Sequence, residues 1–293
     1  MISIIIVNYN TRQLLRECLA SVNRHCPEAQ VIVVDNASHD GSAAMVREEF
    51  PAVCLIEAER NLGFASANNL GLQQATGDYV VLLNSDTVLQ DDALQRCVAF
   101  LQANPHIGAT SPALRGTDGQ PQQCLYPMPS LAALIREAIW LPPLPTETGW
   151  LAGTCLIVRA TALAEVGGQL DGTSFLYWED ADLSARLLRN GWRVEPFPGA
   201  CILHHGGASG GGADALRRPD LHAWFVYGKH RFFARYRPWW EAVGVWLLDA
   251  ADVARKFIRG AVRPARRVAE WSHARVMAVT LSRLLVGLRP PMP

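Results

Sequence analysis

MISIIIVNYNTRQLLRECLASVNRHCPEAQVIVVDN, residues 1–36, sets two short apolar runs, ISIIIVNY and QVIVVDN, on either side of LLRECLASVNRH, whose apolar residues recur at helical spacing. Short β-branched runs bounded by polar residues read as strands buried on both faces, and the segment between them reads as a crossover helix. The pattern repeats through SAAMVREEF, VCLIEA, SANNLGLQQAT and DYVVLLN, giving helix, strand, helix, strand. Such alternation predicts an α/β fold with parallel strands and helices packed on the sheet. Ligands of open α/β sheets gather at the carboxyl ends of strands, which here read Asn8-Tyr9-Asn10, Asp35-Asn36 and Asn84-Ser85-Asp86.

Further along, DDALQRCVAFLQAN is helical, and residues 105–150 have the Pro and Gly content of loop, broken by one helical piece at SLAALIREAIW. TCLIVRA is strand-like, a turn falls at Gly167-Gly168, and WEDADLSARLLRNGW is a helix that stops at Gly191. HHGGASGGG, 204–212, reads as a flexible loop, and from 222 onward Trp and Arg interleave in an amphipathic helical pattern.

At 293 residues the chain is long enough for one large α/β domain with a helical appendage. Its 27 basic and 27 acidic residues balance overall, yet 217–293 holds 15 Lys/Arg against 5 Asp/Glu. A basic tail on an acidic body points to an anionic surface, with phospholipid favoured over nucleic acid, which is not expected as a partner. The seven cysteines form no CxxC pair and read as small core residues of a reduced protein. The N-terminus has no secretory signature and reads as a strand at which the fold begins. No window reaches the roughly 18–20 apolar residues of a membrane-spanning helix.

Asp35, at the exit of an apolar strand, either accepts the imide N–H of a uracil or thymine base or caps the helix that follows NASHDGS. Tyr9 offers a stacking face beside it. Asp86 suits a hard divalent cation that neutralises a departing nucleoside diphosphate, or else caps, with Ser85, a helix starting near Asp91. Glu179 and Asp180 begin a helix after the aromatic run FLYW, where the helix dipole favours carboxylates and an apolar wall raises the pKa of a general base. Asp182 and Arg186 are spaced for an i, i+4 surface pair. His204 and His205 stand beside the glycine run as solvated or metal-binding imidazoles. There is no dinucleotide-binding GxGxxG after a strand, no Walker A motif, no GxSxG and no HExxH.

In order, SIIIVNYN, VVDNASHDGS, ERNLGFASANNLGL, VVLLNSDT, GTCLIVRATALAEVGG and LYWEDADLSARLLRNGW resemble the motif series of inverting family 2 glycosyltransferases of GT-A fold, and most of all their rhamnosyltransferase-like branch. The resemblance covers about residues 1–235 and implies a Rossmann-like mixed sheet flanked by helices there, with 236–293 as a basic amphipathic helical extension. It further implies that Asn8, Tyr9, Asp35, Arg60, Asn61, Asn68, Asn84 and Ser85 line the nucleotide site. Asp86 takes the last position of the family's D-x-D metal motif, in which Asn84 replaces the first Asp. His204, or second to it His205, completes the site of a Mg or Mn ion. Asp180 matches the catalytic base, Glu179 orients the site or contacts acceptor, and Gly153 and Trp178 border the substrate.

The function this implies is metal-assisted transfer of a sugar, with rhamnose as the candidate. The donor is dTDP- or UDP-linked, and a hydroxyl of a glycan or lipid-linked acceptor receives the sugar in cell-surface polysaccharide synthesis. The expected location is cytoplasmic, peripheral on the inner face of the cytoplasmic membrane through the tail. The competing reading is a non-catalytic nucleotide-sugar-binding or scaffold protein on the same fold, suggested by Asn84.

Overall fold

The computed structural model describes residues 1–142, 148–206, 218–262, 267–290 and 292. β1 (Ile2–Asn8), α1 (Arg12–His25), β2 (Gln30–Asp35), α2 (Ser42–Glu49), β3 (Cys54–Glu57), α3 (Phe64–Leu72) and β4 (Tyr79–Asn84) follow the alternation read from the sequence. β1 lies between β2 and β4 in parallel, with β3 outside β2. The isoleucine run of β1 divides by parity. Ile4 and Ile6 join Leu15, Leu19 and Met45 in one core, while Ile5 joins Ala65 and Ala67 of α3 in the other. A strand covered on both faces has no polar side to show, which is why the run is continuous. α3 approaches β1 so closely that a Cβ on Gly71 would lie 2.5 Å from Ile5 Cγ2.

The chain continues through β5 (Thr87–Val88), α4 (Ala93–Ala103), β6 (Ile107–Arg115), β7 (Pro121–Gln122), β8 (Leu125–Pro127), α5 (Leu131–Ala138), β9 (Gly149–Leu151), β10 (Cys155–Arg159), α6 (Ala160–Glu165), α7 (Glu179–Arg189) and β11 (Arg193–His204). The sheet order is β3-β2-β1-β4-β10-β6-β11-β5, with β7 on β6. β10 runs antiparallel to both β4 and β6, so the sheet is mixed. β8 and β9 pair separately as a ribbon.

The loop expected over 105–150 is in part sheet: β6 is an interior strand between β10 and β11. Its Pro112 sits opposite Phe197, where the register of β11 slips between Phe197 and Cys201. A proline needs no ladder donor at such an irregularity. Its Gly108 leaves room for Trp192, whose Cβ would stand 2.9 Å from an added Cβ. Ser85 and Asp86 do not cap the next helix either, because Thr87 and Val88 pair with β11 and α4 begins only at Ala93, with Asp92 at its N-cap. Among the cysteines, all free, Cys18, Cys26, Cys97 and Cys155 are buried as expected, while Cys54 is exposed.

The chain divides into two compact units: Met1–Met128 with Thr146–Thr173 and Glu179–Gly212, and Pro129–Pro145 with Ser174–Trp178 and Ala213–Pro293. The second contains α5, α8 (Pro219–Tyr236), α9 (Trp239–Val262) and α10 (Arg267–Leu285). Val226, Val253, Ala274, Met277 and Leu281 form a core there. α9 buries its acids Glu241 and Asp249: Glu241 accepts from Leu131 N–H at 2.8 Å, and Asp249 meets Lys229 Nζ at 2.7 Å and His230 Nε2 at 2.8 Å. Its exposed stripe, at helical spacing, is Trp240, Val243, Leu247, Ala251, Ala254, Ile258 and Val262. No helix among the described residues is long and apolar enough to cross a membrane. The glycine run from 207, and Arg263 and Arg266 of the basic tail, lie outside the described residues.

Candidate active site

Asn8 and Asp35 are register partners at the ends of β1 and β2, and Asn84 ends β4 one step back, beside Val7. Topology therefore brings the three polar strand exits to one sheet edge. Asn8 Nδ2 donates to Asp35 Oδ1 at 2.9 Å and to Ser38 Oγ at 3.0 Å, while Asn8 Oδ1 accepts from Thr11 Oγ1 at 2.6 Å. Thr11 Oγ1 in turn lies 2.9 Å from Ser85 Oγ. Asp35 Oδ2 accepts from Ser38 N–H at 3.0 Å, while α2 has Gly41 at its N-cap and its first residue, Ser42, donates its N–H to Asp40 Oδ1 at 3.1 Å. Asp35 is thus a buried carboxylate held at a strand exit rather than a helix cap.

Asn61 Oδ1 accepts from Asn36 Nδ2 at 2.8 Å and Gly63 N–H at 3.0 Å, which shapes the turn into α3. Asn68 is buried within α3 and donates to Phe64 O at 3.0 Å, a helix-internal bond. Arg60 is exposed and Tyr9 half-buried.

Asp86, 2% exposed, follows the β4 exit. The short pairing of β5 with β11, His204 opposite Thr87, brings His204 Nε2 to 3.4 Å from Asp86 Oδ1. His205 donates its backbone N–H to Asp86 O at 2.9 Å, but its ring turns elsewhere, with Nε2 3.9 Å from Glu17 Oε2. The two histidines therefore separate, His204 toward the carboxylate and His205 away from it. Two ligands each about 2.1 Å from one divalent ion stand about 3.0–3.4 Å apart, so the Asp86–His204 spacing and its oxygen-plus-imidazole chemistry fit such an ion. Among the described residues no third His, Cys, Asp or Glu joins them. An ion held there would have its remaining positions left to oxygens from outside these two residues.

Asp180 and Glu179 open α7. Both Asp180 oxygens are held, Oδ2 by Gly153 N–H at 3.0 Å and Oδ1 by Ala181 N–H at 2.8 Å. Gly153 thus has its amide turned to a carboxylate. The neighbouring Thr154 O accepts from Asn84 N–H at 2.9 Å. One dipeptide consequently ties the Asp180 carboxylate to the strand exit that leads into Asp86. Burial raises the Asp180 carboxyl above the ordinary range against the pull of its amide donors. Burial and then the adjacent Asp180 charge raise Glu179 as well, and its Oε2 has no hydrogen-bond partner among the described residues. Asp182 and Arg186 do pair, at 2.8 Å, but in a mostly buried position rather than on the surface.

Just before α7, Tyr177 and Trp178 have φ of 72° and 76°, a conformation that costs aromatic residues on the order of 1–2 kcal/mol each. Within the second unit the Trp178 ring packs on Phe225 and Phe232, each with centroids 5.5 Å away, and against Gly228. That packing holds the strained turn. In the first unit, Tyr126 and Trp150 are cross-strand partners on the β8–β9 ribbon with rings stacked at 4.6 Å. Burial, and then the Asp180 charge, raise the Tyr126 phenol.

The profile of Glycosyl transferase family 2 matches residues 3–154, and that of Glycosyl transferase family group 2 matches 79–281. The chain belongs to glycosyl transferase family 2. This glycosyltransferase is 28% identical, over 91% of its length and 96% of the relative's, to N-acetylglucosaminyl-diphospho-decaprenol L-rhamnosyltransferase of Mycobacterium tuberculosis. It is 27% identical to the poly-beta-1,6-N-acetyl-D-glucosamine synthase of Staphylococcus epidermidis over 67% of its own length and 46% of that protein. Among solved structures, a mannosyltransferase from Pyrobaculum calidifontis in complex with GDP-Man and Mn2+ matches 97% of the glycosyltransferase and 86% of that chain, with TM-score 0.58 and 19% identity. S. aureus TarS 1–349 in complex with UDP-GlcNAc matches 98% and 92%, with TM-score 0.54 and 17% identity. These likenesses establish the GT-A fold, a mixed sheet flanked by helices, and the relatives place the glycosyltransferase with the rhamnosyltransferase-like type.

Sequence reading missed Ser38, Thr11 and Gln122, and it gave Asn36 a place at a strand exit but no role. Ser38 alone left a signal, standing three residues after Asp35 where a side-chain-to-backbone turn closes.

Proposed function

We propose that this glycosyltransferase moves a sugar, with rhamnose the leading candidate, from a dTDP- or UDP-linked donor to a hydroxyl of a glycan or lipid-linked acceptor, with inversion at the anomeric carbon. The observation that supports this most is the Gly153–Thr154 link between Asp180 and the Asn84–Asp86 strand exit. It sets a carboxylate with a raised pKa at a fixed place relative to the proposed diphosphate end.

In this reading the base stacks by Tyr9 and donates its imide N–H to Asp35, with Asn8, Arg60, Asn61, Asn68, Asn84 and Ser85 around the nucleotide. Asp86 and His204 would hold a Mg or Mn ion, with His205 as an outer neighbour. When bound, that ion supplies positive charge to the departing diphosphate oxygens. Asp180 accepts the proton of the acceptor hydroxyl as its oxygen bonds to the anomeric carbon and the carbon–diphosphate oxygen bond breaks. The Gly153 and Ala181 amides keep the receiving carboxylate in place. Glu179, raised further by its neighbour, orients acceptor, and Trp178 supports the turn beside it. The scaffold reading rests on Asn84 alone.

The tail reading is supported by the exposed apolar stripe of α9. A peripheral site on the inner face of a membrane would bring the enzyme to a lipid-linked acceptor.

The test is Asp180→Asn with a panel of nucleotide-sugars. Transfer is expected to fall by about 10²–10⁴ with donor affinity unchanged. Full activity in the variant would remove Asp180 as the base, and a hydrolysed donor with no glycoside formed would remove transfer.

A further inference from the structure

Gln122 was read as loop and belongs to no motif, yet it is the residue that touches His204 twice. It sits on β7, opposite Leu114 of β6. Its Nε2 donates to the His204 backbone oxygen at 3.2 Å, and its Oε1 lies 2.7 Å from His204 Nδ1. The first bond decides the second. An amide whose nitrogen faces a carbonyl must present its oxygen to the ring, and an oxygen can only accept, so His204 carries its proton on Nδ1. In the neutral ring Nε2 then bears a lone pair, 3.4 Å from Asp86 Oδ1 and with no hydrogen-bond partner among the described residues. A divalent cation placed between these two atoms would be within reach of both.

We propose that Gln122 is the positioning residue of the cation site: its side-chain amide fixes both the tautomer and the ring plane of His204, so that Nε2 is presented ready to ligate beside Asp86. The inference rests on the metal reading above and adds what makes one histidine of the pair a ligand. His205, whose described contacts include no such clamp on Nδ1, turns to Glu17 instead. The physical logic is that of an outer partner that holds a ligating imidazole, whose loss typically weakens metal binding 10- to 100-fold.

The test pairs a spectroscopic readout with a binding one, on wild type, Gln122→Met and Gln122→Glu. Methionine keeps the length and removes both hydrogen bonds, whereas glutamate restores the acceptor toward Nδ1–H. In 15N-detected imidazole spectra of the metal-free protein near pH 8, wild type and Gln122→Glu are expected to show His204 with Nδ1–H alone, and Gln122→Met a mixture of tautomers. Mn2+ titrated alone and with UDP, followed by loss of the free-ion electron paramagnetic resonance signal, should bind about 10- to 100-fold more weakly to Gln122→Met. Gln122→Glu should recover most of that loss. UDP affinity without metal should stay unchanged across the three, and the thermal midpoint should fall by no more than a few degrees in Gln122→Met, which separates positioning from a folding defect.

A wild-type His204 protonated on Nε2, or a Gln122→Met protein with unaltered tautomer and Mn2+ affinity, overturns the proposal. A wild type with the expected tautomer that binds no Mn2+ overturns the metal reading instead, so the two failures are told apart.

Discussion

A carboxylate that is to receive a proton must be ionised first, and Asp180 is held above the ordinary carboxylate range by its surroundings. Activity should therefore fall as pH drops through that raised value, an acid limb lying above the roughly pH 4 of an unperturbed carboxyl, visible in kcat/KM profiles. Stability should respond in the opposite sense. Because Glu179 and Asp180 bind protons more tightly folded than unfolded, their contribution is complete below the ordinary range and is lost as pH rises through the raised values. Denaturant melts should thus show a negative slope of up to about 1.4 kcal/mol per pH unit per group, and Glu179→Gln should reduce it. An unchanged slope would place Glu179 in water.

The acids themselves were legible, since strand exits and a helix start announce themselves through the apolar residues beside them. Gln122 was not, because what makes it matter is a partner brought from 82 positions away by sheet pairing, and of Ser38 only the local turn to Asp35 was, not its bond to Asn8 from 30 positions away.

At the scale of elements, β1 to β4 and their helices were readable because each spans at least one full period of its pattern. β5 and β7 have two residues apiece and so no period to read, although one delivers His204 and the other Gln122. β6 was hidden by Pro112 and Gly108, which an irregular neighbour and a large side chain excuse. Contact between α3 and β1 sets a limit on substitution. Gly71→Val should force Ile5 aside and cost about 1–3 kcal/mol in chemical denaturation, and a neutral result would mean that α3 can retreat from the sheet.

The exposed apolar stripe of α9 lends itself to an equally direct trial. Leu247→Glu with Ile258→Glu places charges on exposed positions and disturbs no core, so the fold should persist while sedimentation with anionic vesicles falls several-fold. Equal sedimentation of variant and wild type would exclude the stripe as the docking face.

At the scale of the whole molecule, the sequence showed a basic segment but not which way its helices face, because orientation depends on what packs against them. The burial of Glu241 and Asp249 depends on Leu131 N–H, Lys229 and His230, partners that no local pattern reveals. The second unit also gathers chain from 129–145 and 174–178, which no local pattern could join to the C-terminus.

The joint at Gly153 and Thr154 has an evolutionary consequence. It is built from main-chain atoms, so almost any side-chain replacement at these two positions and at Asn84 leaves it standing, and a lineage can trade donor, acceptor and neighbouring residues while the spacing between the two chemical ends is inherited intact. Proline at 153 is the exception: it deletes the N–H that reaches Asp180 and so breaks what drift at these positions would otherwise spare.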